Sequence, residues 1–297
     1  EKINIVRRAL LAMDAIGVET VWHLPDTYFI VQRAAEGAGL TLSLRALPME
    51  VLGNASDSYE AARRMADLGC GAIMTLGGDG TNRIVAKGCG EVPLVAVSTG
   101  TNNVFPRMVE GTLAGIAAGL VALGQADGAV QRMPRLDVVI DDGQTDIALI
   151  DVVTSPHAWI GARAVWEPSH IREIVLSRIA CGEIGICAIG GLLYPDLAGM
   201  PVGAYVCLGE GAGSVQAPLA PGVVRRVPVA KSRTLEPGGS VSLEPVAGTI
   251  ALDGEREIEL LSAVRKIDVR LNPDGPRVVD IPAAIRLGAL SGVFQSS

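Results

Sequence analysis

Aromatic side chains are scarce in this chain, at 3% of 297 residues. Its core must therefore be packed with Val, Leu, Ile and Ala. Hydrophobic residues at 49% and a mean hydropathy of +0.37 describe a heavily buried α/β protein rather than a disordered one. The five cysteines, Cys70, Cys89, Cys181, Cys187 and Cys207, form no C-x-x-C pair and are odd in number. Neither a zinc knuckle nor a disulfide framework is indicated, and the pattern suits thiols in a reducing cytoplasm. Positive charge is also in deficit, since 25 Lys and Arg against 32 Asp and Glu leave a net charge of −7. Such a chain has no broad electrostatic grip on nucleic acid or an acidic membrane, although a local basic pocket for phosphates remains open to it. The longest apolar runs, such as residues 184–194, fall short of the roughly 20 residues that span a bilayer. No amphipathic membrane-facing stretch stands out, and no basic-then-apolar leader opens the chain at Glu1. A soluble cytoplasmic protein without membrane or nucleic-acid partners is expected. A Gly-x-Gly-x-x-Gly fingerprint after a first strand is missing too, which disfavours a dehydrogenase.

The stretch Leu76-Gly77-Gly78-Asp79-Gly80-Thr81-Asn82 is the most informative one present, because it follows the strand-like apolar run Ala72-Ile73-Met74-Thr75. Glycines let backbone approach a ligand, and a following helix offers N–H groups to an anion. Asp79 can hold a metal or a proton, and Thr81 can donate to a phosphate oxygen. The pattern suits phosphoryl transfer, while Asp79-Gly80 on its own equally describes a hairpin turn. A second strand-like run, Leu94-Val95-Ala96-Val97, opens into Ser98-Thr99-Gly100-Thr101-Asn102-Asn103-Val104-Phe105-Pro106. In an open parallel sheet, ligands collect at the carboxyl ends of strands, so two polar loops after successive strands can face one ligand. Asn102 and Asn103 taken alone also fit Asx turns.

These residues resemble the superfamily of ATP-NAD kinases and diacylglycerol-type lipid kinases, whose hallmark is Gly-Gly-Asp-Gly-Thr followed by a second Gly/Asn loop. The match over Gly77 to Thr81 is complete. The wording from Ser98 to Pro106 is most similar to the ATP-NAD kinase-like proteins of acetoin catabolism, and the resemblance covers nearly the whole chain. It implies an α/β fold with an N-terminal doubly wound parallel sheet and a second, all-β sandwich domain. It also implies ATP with Mg2+ as phosphate donor, NAD as the default acceptor, and a dimer.

Length and punctuation agree, since 297 residues suggest two cores. Val6, Ala9, Leu10 and Met13 share one helical face closed by Gly17, and residues 18–24 read as a strand. A helix is expected over residues 26–38, a strand over 42–47, and a helix capped by Asp57 with Glu60 and ending at Gly69. A strand over 72–76, a short helix from Asn82, the strand 94–97 and an alanine-rich helix over 112–123 follow. That last helix suits either the core or a subunit interface. Past Gly124, β-branched runs broken by glycine turns cover 136–140, 146–153, 202–208, 223–230 and 241–243, with Asp142-Gly143 as a hairpin turn. The expected domains are residues 1–124, a sandwich at 125–260, and a tail at 261–297 that returns to the first domain. The tail reads as a strand, an Asn272-Pro273-Asp274-Gly275 turn, a short strand at Val278-Val279 and a helix over 282–290. Because such domains usually open on a strand, whereas this chain opens on a helix, the resemblance implies an earlier strand with an Asn-Pro-x-x-Gly type loop ahead of Glu1.

The resemblance also carries residues over. Asp79 is the general base to the acceptor hydroxyl or an Mg2+ ligand; Gly77, Gly78, Gly80, Thr81 and Asn82 cradle phosphates; Gly100, Thr101, Asn102 and Asn103 orient the nucleotide. Where NAD kinases place an Asn-acid pair to hold NAD, this chain has Ile150-Asp151, so the acid is kept and the amide is gone. Where they place a Thr-Gly-Ser-Thr-Ala-Tyr run, it has Cys181-Gly182-Glu183-Ile184-Gly185-Ile186, followed by the retained Gly190-Gly191. Hydroxyls and tyrosine are lost and Glu183 offers a carboxylate, which leaves the acceptor open between NAD and another nucleotide-like molecule. Asp253 and Glu255 match the Asp-Gly-Glu turn that both kinase branches bring to the domain interface, although Leu252-Asp253-Gly254-Glu255 is also a plain hairpin.

His157, Trp159, Arg163, Trp166, His170 and Arg172 cluster in a segment matching neither branch. Two histidines are too few for a metal site. Arg163 or Arg172 can clamp a phosphate or be a solvated surface charge. Two functions are therefore expected to compete: an ATP-dependent phosphotransferase of the NAD kinase type tied to acetoin catabolism, and a non-catalytic nucleotide-binding accessory or sensor.

Overall fold

The computed structural model describes residues 1–140, 143–156, 168–244, 248–260 and 266–295. His157, Trp159, Arg163, Trp166 and Asp142 lie outside the described residues. In chain order the elements begin with α1 (Lys2–Ala15), β1 (Thr20–His23), α2 (Ile30–Ala35), β2 (Ser43–Ala46) and α3 (Ala55–Asp67). They continue with β3 (Ile73–Gly77), α4 (Asp79–Gly88), β4 (Leu94–Ser98), α5 (Gly111–Ala122) and β5 (Val130–Arg132). Strands β6 (Arg135–Ile140), β7 (Thr145–Ala148), β8 (Asp151–Ser155) and β9 (Glu173–Leu176) precede α6 (Ala188–Leu193). The chain ends with β10 (Gly203–Ala220), β11 (Val223–Leu235), β12 (Ser240–Leu243), β13 (Gly248–Leu252), β14 (Glu255–Leu260), β15 (Ile267–Asn272), β16 (Arg277–Val279) and α7 (Ile281–Leu290).

The chain divides into two compact units, one of Glu1–Gly100, Pro106–Met133 and Pro276–Ser297, the other of Thr101–Phe105 and Pro134–Gly275. The sequence expectation placed the sandwich at 125–260 and the returning tail at 261–297. Strand pairing moves both boundaries. β5 pairs with β16 in the first unit, while β15 lies between β6 and β12 in the second.

In the first unit, β3, β4 and β16 run parallel and β5 closes the edge antiparallel. β4 is buried along its length, as expected for a strand covered on both faces, and each of its fully buried Leu94, Val95 and Val97 side chains contributes about 1.5–3 kcal/mol. Glycine and alanine in α5 let α1 approach closely, since a Cβ on Gly115 would lie 2.4 Å from the Ala9 carbonyl oxygen. Helix α5 therefore belongs to the core, with Ala114, Ala117 and Leu120 fully buried. Asn54, not Asp57, caps α3; Asp57 is the third-position partner that closes the capping box. Helix α2 starts only at Ile30, because the Asp26 carboxylate accepts from the N–H groups of Tyr28 and Ile30 and holds the chain in a turn. The expected single sheet is split: β1 and β2 pair with each other alone, and a cavity of about 630 Å³ lies along β1 and β3.

The second unit is a sandwich of a six-stranded sheet, β11-β10-β9-β8-β13-β14, and a four-stranded sheet, β12-β15-β6-β7. Every neighbouring pair in both is antiparallel. Inward residues of both sheets, among them Val138, Leu243 and Val269 from one and Val152, Val175 and Ile250 from the other, form a single apolar layer. The run expected as one strand over 146–153 is broken at Leu149-Ile150, and what holds that corner bears on the site.

Candidate functional site

In the first unit, the glycine turn leaves β3 at Gly77, which is in register with Ser98 at the end of neighbouring β4. Both polar loops thus start from the same edge of one parallel sheet, the edge where ligands collect. Helix α4 begins earlier than expected, at Asp79 rather than Asn82, with extended Gly78 as its N-cap. Asp79, Gly80 and Thr81 form its first turn, and the first i to i−4 bond runs from the Asn82 N–H to the Gly78 carbonyl at 3.1 Å. This helix end favours an anion. Thr81 folds back onto Gly77, where a Cβ would lie 2.6 Å from Thr81 Oγ1 and 2.7 Å from its Cβ. Any larger residue there has to push the Thr81 side chain aside.

Asn82 is completely buried. Its Nδ2 donates to the Gly78 carbonyl at 2.8 Å, and its Oδ1 accepts from Thr75 Oγ1 at 2.6 Å. The expectation that Asn82 contacts a ligand is corrected: its amide faces inward and fixes the turn from behind. Arg83, 1% exposed, is buried beside it and was not singled out from sequence. The readable signal was its i, i+4 spacing from Asp79.

After β4, Ser98 Oγ donates to the Gly100 carbonyl at 2.8 Å, and the chain returns to pair at Arg107, whose carbonyl accepts from the Ser98 N–H at 2.8 Å. Thr101–Phe105 belongs to the second unit. There Val104 and Phe105 are buried while Asn102 and Asn103 are half-buried, and Thr101 Oγ1 donates to Asn102 Oδ1 at 3.2 Å.

Also in the second unit, the structure brings Asp151 and Asp253 together. The Asp253 carboxylate, 5% exposed, accepts from the N–H groups of Leu149 at 2.9 Å, Ile150 at 2.7 Å and Asp151 at 3.3 Å. The Asp151 carbonyl accepts from the Asp253 N–H at 2.9 Å, and its Oδ1 accepts from Gly254 N–H at 3.2 Å. This knot makes the Leu149-Ile150 corner. Glu255 is half-buried at the start of β14.

Gly190 and Gly191 lie buried in α6. A Cβ on Gly190 would come within 2.3 Å of Leu176 Cδ1, and one on Gly191 within 2.1 Å of the Ala180 carbonyl. They are corrected from ligand contacts to close-packing positions. Glu183 pairs with Arg178 at 3.2 Å, with side chains only 8% and 14% exposed. Arg178, which sequence reasoning missed, also donates to the Val104 carbonyl at 3.2 Å. Burial, then the charges of Glu183 and Asp151, push the nearby Cys187 thiol well above its ordinary range. Arg172 is exposed and paired with Glu244, so it is a surface charge. Among the described residues, no group of three or more His, Cys, Asp or Glu could hold a metal ion.

Comparison with known proteins fits this division. Residues 9–126 match the ATP-NAD kinase N-terminal domain, and residues 134–274 match the acetoin catabolism protein X C-terminal domain. Acetoin catabolism protein X of Cupriavidus necator is 38% identical over 304 residues, with 96% of this chain and 84% of the relative covered. The chain belongs to the acetoin catabolism protein X family. The family expected from the glycine turn and the Asn102-Asn103 loop is thus the one found. Among solved structures, an NAD kinase from Archaeoglobus fulgidus in complex with ATP aligns over 94% of this chain and 99% of its own, at 14% identity and a TM-score of 0.45. No helix among the described residues is long and apolar enough to cross a membrane.

Proposed function

We propose that this protein is an ATP-dependent phosphotransferase of the NAD kinase type that transfers a phosphoryl group to a hydroxyl of NAD or a related small nucleotide, in the service of acetoin breakdown. The observation that carries the reading is the β3–α4 turn. Gly77 admits Thr81 against the backbone, Gly78 caps a helix aimed at the sheet's carboxyl edge, and Asp79 sits in its first turn. The turn's N–H groups and the Thr81 hydroxyl suit phosphate oxygens. Asp79 accepts the proton of the attacking hydroxyl. Mg2+ would enter with ATP as part of the substrate and neutralise phosphate charge; were Asp79 its ligand, that role would replace the one as base. Positioning then supplies most of the rate. Gly100, Thr101, Asn102 and Asn103 orient the nucleotide, Asp151 serves the acceptor, and Asp253 with Glu255 complete the site. A cytoplasmic homodimer is part of the same proposal.

A second reading, a nucleotide-binding accessory or sensor without catalysis, is favoured by two observations. Asp253 and Asp151 are buried in bonds to backbone, and Glu183, in the run where the resembled kinases carry hydroxyls, is ion-paired with Arg178. Calorimetric titration with NAD and with Mg-ATP, followed by an assay for NADP, separates the two. Binding with turnover, abolished in Asp79→Asn at unchanged circular dichroism, supports the kinase. Binding without turnover supports the sensor, and full turnover in Asp79→Asn removes Asp79 from the mechanism.

A further inference from the structure

Ser177 is riveted in place by two bonds: its N–H donates to the Ile150 carbonyl at 2.9 Å and its Oγ to the Leu149 carbonyl at 2.7 Å. The N–H groups of those same two residues are held by the Asp253 carboxylate. The backbone entering Arg178 is therefore fixed by a buried, fully connected network. From there the guanidinium reaches two partners at 3.2 Å, the Val104 carbonyl and the Glu183 carboxylate. Val104 follows directly on Asn102-Asn103, in a five-residue excursion of the chain into the second unit. A charged donor bonding to a carbonyl in a mostly buried setting is stronger than a neutral one. A single nitrogen, Nη2, makes both bonds, so the Glu183 carboxylate and the Val104 carbonyl together fix where that end of the guanidinium points.

We propose that Arg178 is a positioning residue for nucleotide binding: oriented by Glu183, it clamps the Val104 carbonyl and so sets the Asn102-Asn103 loop in its binding geometry. The loop's nucleotide role rests on the function proposed above; the clamp itself does not. Network order also follows. Asp253 acts on the loop through Leu149-Ile150, Ser177 and Arg178 in turn.

The test uses the full chain and the variants Arg178→Gln, Arg178→Lys and Glu183→Gln, with hydrogen exchange of the ligand-free protein and calorimetry with Mg-ATP. In Arg178→Gln, exchange over residues 101–105 rises by about tenfold, protection of β8 and β13 is unchanged, and the Mg-ATP Kd rises by about tenfold. Arg178→Lys recovers part of both, because an ammonium keeps the charge and more than one N–H donor but sits on a shorter, less rigid side chain than the planar guanidinium. Glu183→Gln, which leaves the guanidinium in place, shifts both in the same direction by less and serves if Arg178→Gln does not fold. Unchanged exchange over 101–105 overturns the clamp. Raised exchange with unchanged Kd overturns its role in binding. If the wild-type chain binds no Mg-ATP, the proposed function falls, and the exchange result still decides the clamp alone.

Discussion

Asp151 and Asp253 hold each other's backbone: the Asp253 carboxylate accepts from the Asp151 N–H at 3.3 Å, and the Asp151 carbonyl accepts from the Asp253 N–H at 2.9 Å. Both residues were expected to bind the ligand, Asp151 by holding NAD and Asp253 by completing the site, yet the Asp253 carboxylate is largely engaged with the N–H groups of Leu149 and Ile150. Its chemistry is first that of an internal cap for a strand corner.

Asp253 sits at φ 53, a left-handed conformation that Asn also adopts readily and Ala does not. Asp253→Asn keeps the conformation but weakens the charge-assisted bonds, so it should cost about 1–3 kcal/mol. Asp253→Ala strands buried donors as well and should cost at least about 3 kcal/mol. Urea unfolding measures both, and equal costs for the two variants would refute the capping role.

The glycines divide into two kinds with opposite expectations. Gly77→Ala drives a methyl into the Thr81 side chain at 2.6–2.8 Å and displaces the first turn of α4, so Mg-ATP affinity should fall by about tenfold in protein that still folds. Gly191→Ala instead meets the Ala180 backbone at 2.1 Å, which cannot yield as a side chain can. It should lose about 3 kcal/mol of stability or more. A Gly191→Ala variant as stable as wild type would return that position to the candidates for ligand contact.

Local signals carried most of the fold. The alternation and length of the run ending at Leu76, the helical face of Val6, Leu10 and Met13, and the glycine-punctuated β-branched runs after Gly124 correspond to β3, α1 and the sandwich strands. These depend on neighbours a few residues apart. Asn54 was missed as the cap of α3 because Asp57 offers the same side-chain chemistry three residues later, and only geometry shows which one accepts from Ser56. The site was legible as far as the Gly77–Thr81 turn and the following Asn loop. Arg178 and the Asp253 knot were not, because their partners lie 74 and 104 residues away and no local period encodes such pairing. Gly190-Gly191 looked functional for the converse reason: a double glycine reads alike whether backbone approaches a ligand or another chain segment.

Alkaline stability supplies a last check on burial. Cys89 is fully buried in the first unit, packed with Ile73, Val85 and Leu94, and that burial raises its thiol to about 11 from an ordinary 9.0. The folded state therefore keeps a proton that the unfolded chain releases. The sign follows: the contribution is complete below pH 9 and is lost as pH rises through the folded value near 11. The shift corresponds to a loss on the order of 2 kcal/mol across that window. Tyr205, raised by burial and then by its hydrogen bond to Glu173, and Cys187, raised by burial, lean the same way. Unfolding free energy measured by urea from pH 8 to 11 should fall steadily, and Cys89→Ala should flatten part of that slope. An identical slope in Cys89→Ala and wild type would show that this thiol is not held neutral by the core.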